Sequence, residues 1–320
     1  MGARARGGCD PVREGQDWGM AGRVVVGTSS WADPGFVQEW YPRGLPPRER
    51  LGWYAERFRA AEVNSTFYAV PARRTTEGWV RSTPAGFTFD VKVHKLLSRH
   101  SAGLSSLPKS LRDHAETNSR GRVALTSRLE AAVLDALLEA VEPLEEAGKF
   151  SSLLVQLSPS FSPRKHELKE LDGLISKSAP RRVAVELRHR GWLTGEQAEQ
   201  TMNYLSARGA ALVCVDAPKT GHFTVLPPVT AVTCDRLGYL RAHGRDADAY
   251  VKGRTVAERF GYRYDDAELG EIGDRAETMA GQLESGDVRV MFNNNRGSDA
   301  PDSARRLREL LGQDPGPPPG

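Results

Sequence analysis

The chain has 320 residues, 39% of them hydrophobic, and a formal net charge of +3. That length can bury a substantial core, as one large barrel or two ordinary domains, and the charge is too weakly basic to imply a nucleic-acid partner. Three widely spaced cysteines, Cys9, Cys214 and Cys234, form no CxxC or Cys/His cluster, which argues against a disulfide framework or zinc site and fits a reduced, cytoplasmic setting.

The first 22 residues are rich in Gly and Arg, have no signal-peptide apolar centre and read as a disordered extension, with Met20 an alternative start. A first strand follows at 23, "RVVVGTSS", then a helix at 46, "PPRERLGWYAERFR", and strands "AEVNSTF" at 61 and "FTFDVKVH" at 87. Residues 99–124 are too many for a plain connection and read as an inserted loop, a candidate lid. A helix from 126 leads to the strand "SLLVQL" at 152, and a helix capped by Ser162 leads to "RVAVELRH" at 182. A helix capped by Thr194 leads to "ALVCVD" at 211, which is followed by "GYLRAHG" at 238, a helix at 265, "DVRVMFNN" at 287 and a helix at 300. Gly148, Gly209 and Gly286 are helix stops. Residues 313–320, "QDPGPPPG", read as a disordered tail. No run approaches the ~20 apolar residues of a bilayer span, so no membrane contact is expected.

Eight alternations of strand and helix over 23–312 predict a single α/β domain, a (β/α)8 TIM-type barrel with an inserted loop after strand 3. The competing doubly wound sheet lacks a GxGxxG after its first strand. Alternate residues of a strand share a face, and barrel sites form at the C-terminal strand ends. Counting back from those ends puts Thr28, Glu62, Asn64, Asp90, Lys92, His94, Gln156, Glu186, Arg188, Asp216, Arg241, His243, Arg245 and Asn293 on one face, a polar ring around the mouth. "RAHGR" at 241–245 brings two arginines and a histidine together with nothing in its own strand to neutralise them, which suits a phosphate or carboxylate. The alternative is that Arg241 pairs with Glu186 and Arg245 with Asp216. Backbone amides of Gly244 and Gly297 are further candidates for an oxyanion. Trp31, two residues past the first strand, is a candidate stacking residue, whereas Trp40 and Tyr41 suit a small core of their own loop. His94, Glu186, His189, Asp216 and His243 are ligand types for a metal, but the neighbouring Lys92, Arg188, Arg241 and Arg245 oppose a cation, and neither metal nor cofactor is expected.

The segments "VGTSSW", "EVNSTFYAVP", "FTFDVKVHKLLSRH", "LLVQLSPSF", "AVELRHRGW", "LVCVDAP", "LRAHGR", "YRYDDAEL" and "MFNNNRG", in this order, resemble the YecE-like family, a numbered family of unknown function. The resemblance spans about 23–312 and implies a TIM-type barrel akin to the xylose isomerase and endonuclease-four group. It implies no activity. Family motif positions fall here on Asn64, Thr66, Tyr68, Lys92, His100, Gln156, Glu186, Arg188, His189, Asp216, Arg241, His243, Gly244, Arg245, Asn293 and Asn294. The chain departs from the family pattern in the insertion near 101–126 and in "QLSPSF", where a second proline is usual.

Three functions are then open. The first is a barrel binding a small anionic ligand, a hydrolase, isomerase or lyase if it is an enzyme, with Glu186, His243 and Asp216 catalytic and Lys92, Arg188, Arg241 and Arg245 binding. The second is a nucleic-acid-binding or endonuclease-like barrel. The third is a non-catalytic docking protein.

Overall fold

The computed structural model describes residues 22–318, so the expected extension with Cys9 and Met20, and the last two residues, lie outside the described residues. Eight parallel strands close in sequence order: β1 (Arg23–Thr28), β2 (Ala60–Val63), β3 (Thr88–Lys92), β4 (Phe150–Gln156), β5 (Val183–Glu186), β6 (Ala211–Asp216), β7 (Leu237–Ala242) and β8 (Asp287–Phe292). Each is short and rich in Val, Leu or aromatic residues, and β2 and β4 to β8 are buried along most or all of their length, as strands covered by helices must be.

Ladder register decides which side chains point inward. Pairing runs Val25↔Arg289↔Tyr239↔Val213 and Gly27↔Met291↔Arg241↔Val215, and on the other side Glu62↔Asp90↔Ser152 and Lys92↔Leu154↔Ala184, with Gln156↔Glu186. This corrects two members of the polar ring. Thr28 pairs with Ala61 and faces outward, where its hydroxyl meets the Tyr54 hydroxyl at 2.9 Å. Asp216 pairs with Ala242, while Val215 pairs with inward-facing Arg241, so β6 contributes an apolar side chain to the interior.

The β1–β2 seam has only that one ladder pair and is reinforced from the helix Pro47–Ala55: Tyr54 Oη accepts from Thr28 N at 3.1 Å and donates to Ala60 O at 2.9 Å. Gly27 sits at the same seam, where a Cβ would stand 2.4 Å from Ala60 O. Because the obstacle is backbone, Gly27→Ala is expected to cost ~1–3 kcal/mol, as overpacking does, measurable as a fall in urea midpoint at unchanged slope.

Two expected caps are displaced. Thr126, expected as the first residue of its helix, is instead the cap of Ser127–Glu146, accepting from Leu129 N at 3.2 Å. Ser162, however, lies in a turn, and the helical segment starts at Leu168 behind a capping box of Glu167 and Glu170, running on into the helix Asp172–Ser178. Thr194 closes a one-turn 3-10 helix, and Gly195, at φ +57, breaks the chain before Glu196–Ser206. The inserted loop after β3 is ordered by a short helix, Lys109–Arg112, and by bridges Gly103–Arg122 and Thr117–Val123. Residues 313–318, read from composition as a tail, make contacts: Gln313 Nε2 donates to Val24 O at 3.0 Å and Arg57 Nε to Pro318 O at 3.1 Å. No helix among the described residues is long and apolar enough to cross a membrane.

Candidate functional site

The barrel interior is a column of charge. Deepest, Arg289 from β8 donates to Asp90 at 2.8 Å, and Ser152 Oγ donates to the other Asp90 oxygen at 2.7 Å. Above lies Arg241, which forks onto Glu62 through Nε at 3.0 Å and Nη2 at 2.7 Å and reaches Glu186 through Nη1 at 2.5 Å. Tyr239 also donates to Glu62, at 3.1 Å. Glu186 further accepts from Gln156 at 3.0 Å and from His243 Nε2 at 3.1 Å, while Asn293 Nδ2 donates to His243 Nδ1 at 3.0 Å. All of these side chains are buried.

Two more cations stand nearer the mouth. Lys92, the last residue of β3, points inward, and its Nζ lies 4.5 Å from the centre of the Phe67 ring; among the described residues it has neither hydrogen bond nor ion pair. Arg188, two residues past β5, stands 3.7 Å from Glu186 and 3.4 Å from the Tyr250 hydroxyl. Phe67, Tyr250, Phe260 and His100 wall this end: Phe260 packs on both His243 and Tyr250, and His100 meets Phe67 edge-on and donates from Nε2 to Gln156 O at 3.2 Å. Asn64 donates to Ser29 O and leaves Oδ1 buried without a partner.

Other expected site residues lie elsewhere. Asp216 is outside the barrel, held by Arg245 at 2.8 Å, Arg275 at 3.4 Å and the Tyr264 hydroxyl at 2.9 Å, so it cannot act with Glu186 and His243. Arg245 is also spent, on Asp216 and on Glu271 at 2.8 Å. The uncompensated charge expected at "RAHGR" is therefore neutralised by carboxylates from other elements. Thr66 donates to Lys92 O at 2.6 Å and Asn294 to Tyr262 O at 2.8 Å, both bracing loops; Trp31 packs edge-on against Trp79 and Phe89 between barrel and helices. Tyr68 is exposed, and His189 accepts from Gly191 N at 3.1 Å. His94 donates to Ser106 O at 3.1 Å, tethering the inserted loop. Gly244 N donates to Tyr264 Oη at 2.8 Å and so offers an anion no free amide, and a carboxylate, that of Glu39, stands on the Cβ side of Gly297. Of the five metal-ligand types only Glu186 and His243 touch, and no group of three or more such residues occurs among the described residues. Phe67, Tyr239, Tyr250 and Phe260 were missed as site residues, although Phe67 lies within "EVNSTFYAVP"; their relevance comes from packing across the mouth.

The family model for "Protein of unknown function DUF72" matches residues 25–319. This chain belongs to the DUF72 family. Bacillus subtilis YunF is 28% identical over 292 residues, spanning 90% of this DUF72 chain and 94% of YunF; Escherichia coli YecE is 26% identical over 200 residues, 61% of this chain and 59% of its own. Crystal structures of DUF72 proteins from Enterococcus faecalis (TM-score 0.67, 25% identity, 82% of this chain and 94% of that one) and Thermotoga maritima (TM-score 0.72, 24% identity, 91% and 100%) share its fold.

Electrostatics sort the DUF72 site into spectators and a titrating group. Burial alone would raise Glu186, but Arg241, His243 and Arg188 overcome it and hold the carboxyl well below its ordinary range. Burial likewise lowers His243 to about 4, against the pull of Glu186, so at neutral pH it is an uncharged imidazole with both nitrogens engaged. A carboxylate with three hydrogen-bond donors and a saturated imidazole are poor partners for proton transfer near neutrality. Lys92 differs: burial, with Arg241 and Arg188 adding to it and Glu62 and Glu186 opposing, brings its ammonium down to about 7.

Proposed function

We propose that this DUF72 protein binds a small carboxylate- or phosphate-bearing ligand at the C-terminal mouth, with Lys92 and Arg188 as its cationic contacts and acid-base chemistry centred on Lys92. One observation carries this reading. The inner cluster sets three cations, Lys92, Arg188 and Arg241, against two carboxylates, Glu62 and Glu186, and both carboxylates are already bonded to Arg241. An incoming anion completes the balance, and Arg188 can meet it with a planar guanidinium. Asn64 Oδ1, buried and unpartnered, and the apolar wall of Phe67 and Phe260 give the site further means of orienting a ligand.

Sulfate and oxalate keep constant charge near neutrality and make suitable probes. Either is expected to raise the melting temperature over chloride of equal ionic strength, and more at pH 6 than at pH 8.5, because Lys92 is charged below about 7. Lys92→Met and Arg188→Met should each remove the effect. No anion-dependent stabilisation at either pH defeats the proposal. Stabilisation by single-stranded oligonucleotides but not small anions, falling steeply with salt, would favour the nucleic-acid reading instead.

A further inference from the structure

We propose that Lys92 is an imine-forming lysine, and that the ligand class of the mouth is a small aldehyde or ketone carrying a carboxylate or phosphate. This rests on the anion site above and adds a covalent step to it.

The case is a comparison of two buried lysines in one chain. Lys149 is buried in the manner of a structural lysine, its Nζ donating to Val80 O at 2.8 Å, Thr83 O at 2.6 Å and Thr83 Oγ1 at 2.9 Å. Lys92 is equally buried as a residue, yet its Nζ, which is not sealed from solvent, has no acceptor among the described residues and lies over an aromatic face. Lysine is almost never buried without a partner, since its ammonium then loses hydration without compensation. Among the described residues it is also the one lysine on the inner face of the barrel. Every nearby charge is accounted for: Glu62 and Glu186 are taken by Arg241, Arg188 stands beside Glu186, His100 donates from Nε2 to Gln156 O, and His243 has both ring nitrogens bonded. Such surroundings favour the free amine, the form that attacks carbonyls, and desolvation beside cationic groups is the established means of activating a lysine nucleophile.

The step balances without an oxidant or reductant. The Nζ lone pair forms a bond to the carbonyl carbon as the carbon–oxygen π bond opens to a carbinolamine. Loss of that oxygen as water, carrying the two amine protons, leaves the carbon–nitrogen double bond. Arg188 would hold the ligand's anionic group.

Pyruvate, an anionic ketone, is the probe, with cyanoborohydride supplying hydride to trap the imine as a carboxyethyl adduct located by peptide mass spectrometry. At pH 7 the adduct is expected at Lys92 at least ten-fold faster than at the exposed Lys109 and Lys219, to be slowed by oxalate, and to be lost in Lys92→Arg. Its rate should level off above pH 7, whereas the exposed lysines continue to gain. Labelling of Lys92 no faster than of the exposed lysines overturns the imine. If oxalate still stabilises the protein in that case, the anion site stands without it. Rapid labelling that oxalate does not slow supports the reactive lysine and overturns the anion site.

Discussion

Replacing Arg241 with methionine is expected to cost ~3–5 kcal/mol of folding stability, the usual penalty for leaving a buried ion pair half removed. Arg241 alone bridges Glu62 and Glu186, which lie on β2 and β5 and are buried with it. Without the guanidinium both carboxylates face an interior that offers Glu62 the Tyr239 hydroxyl and Glu186 only Gln156, His243 and the more distant Arg188. The pH dependence should reverse as well. In the parent, Glu186 is held well below its unfolded value of 4.5, so its contribution is present above that value and lost as pH falls through the depressed folded one. In the variant the stranded carboxylates are best relieved by protonation, so stability should rise as pH falls from 7 toward 5. Urea unfolding at pH 5, 6 and 7 measures both effects. A loss under ~1 kcal/mol with parent-like pH dependence means that the network does not hold the barrel together. Lysine at this position should rescue little, since a point charge cannot fork onto two carboxylates.

Replacing Lys92 with methionine is expected to do the opposite and stabilise the protein at neutral pH. The Lys92 ammonium falls from an ordinary 10.5 to about 7 in the folded chain. Between those values the unfolded chain binds more protons, so the stability of the parent rises with pH across that window. The penalty is therefore complete below about pH 7 and gone above pH 10.5. At about 1.4 kcal/mol per unit it amounts to at most ~5 kcal/mol, which methionine, similar in length and apolar, avoids. The gain of Lys92→Met over the parent in urea unfolding should be largest at pH 6, smaller at pH 8.5 and absent near pH 10.5. A gain independent of pH, or a loss at pH 6, would show that Lys92 is not an unpaired buried cation. Retaining a residue at such a cost to stability is the pattern expected of a functional group, and the same variant should lose sulfate stabilisation.

The two variants act on neighbouring charges with opposite signs, which distinguishes a structural ion pair from a group kept for its reactivity. Arg241, the first residue of "RAHGR", was the natural focus of an anion site, but its burial and its two carboxylates make it the support of the site. The positive charge left to meet a ligand belongs to Lys92 and Arg188.

By itself the sequence determined the eight strands, the barrel class, the inserted loop and the family, because each depends on local composition or on motifs short enough to recognise in one chain. Caps show the limit even locally: Ser162 is passed over for Glu167, and Thr194 is pre-empted by Gly195 in a left-handed conformation. Strand periodicity states that Asp216 and Cys214 share a face, but not which face. That followed only from the register pairing Val215 with Arg241, since a shift of one residue exchanges inside for outside. Tertiary structure alone decided the electrostatics too. The carboxylates that neutralise Arg241 stand 179 and 55 residues away along the chain, and closing the barrel brings all three into one buried layer. Lys92 reads in sequence as one cation among several. It becomes the exception only once folding has paired the others, because a charge is unusual by what surrounds it, and its surroundings come from the other strands.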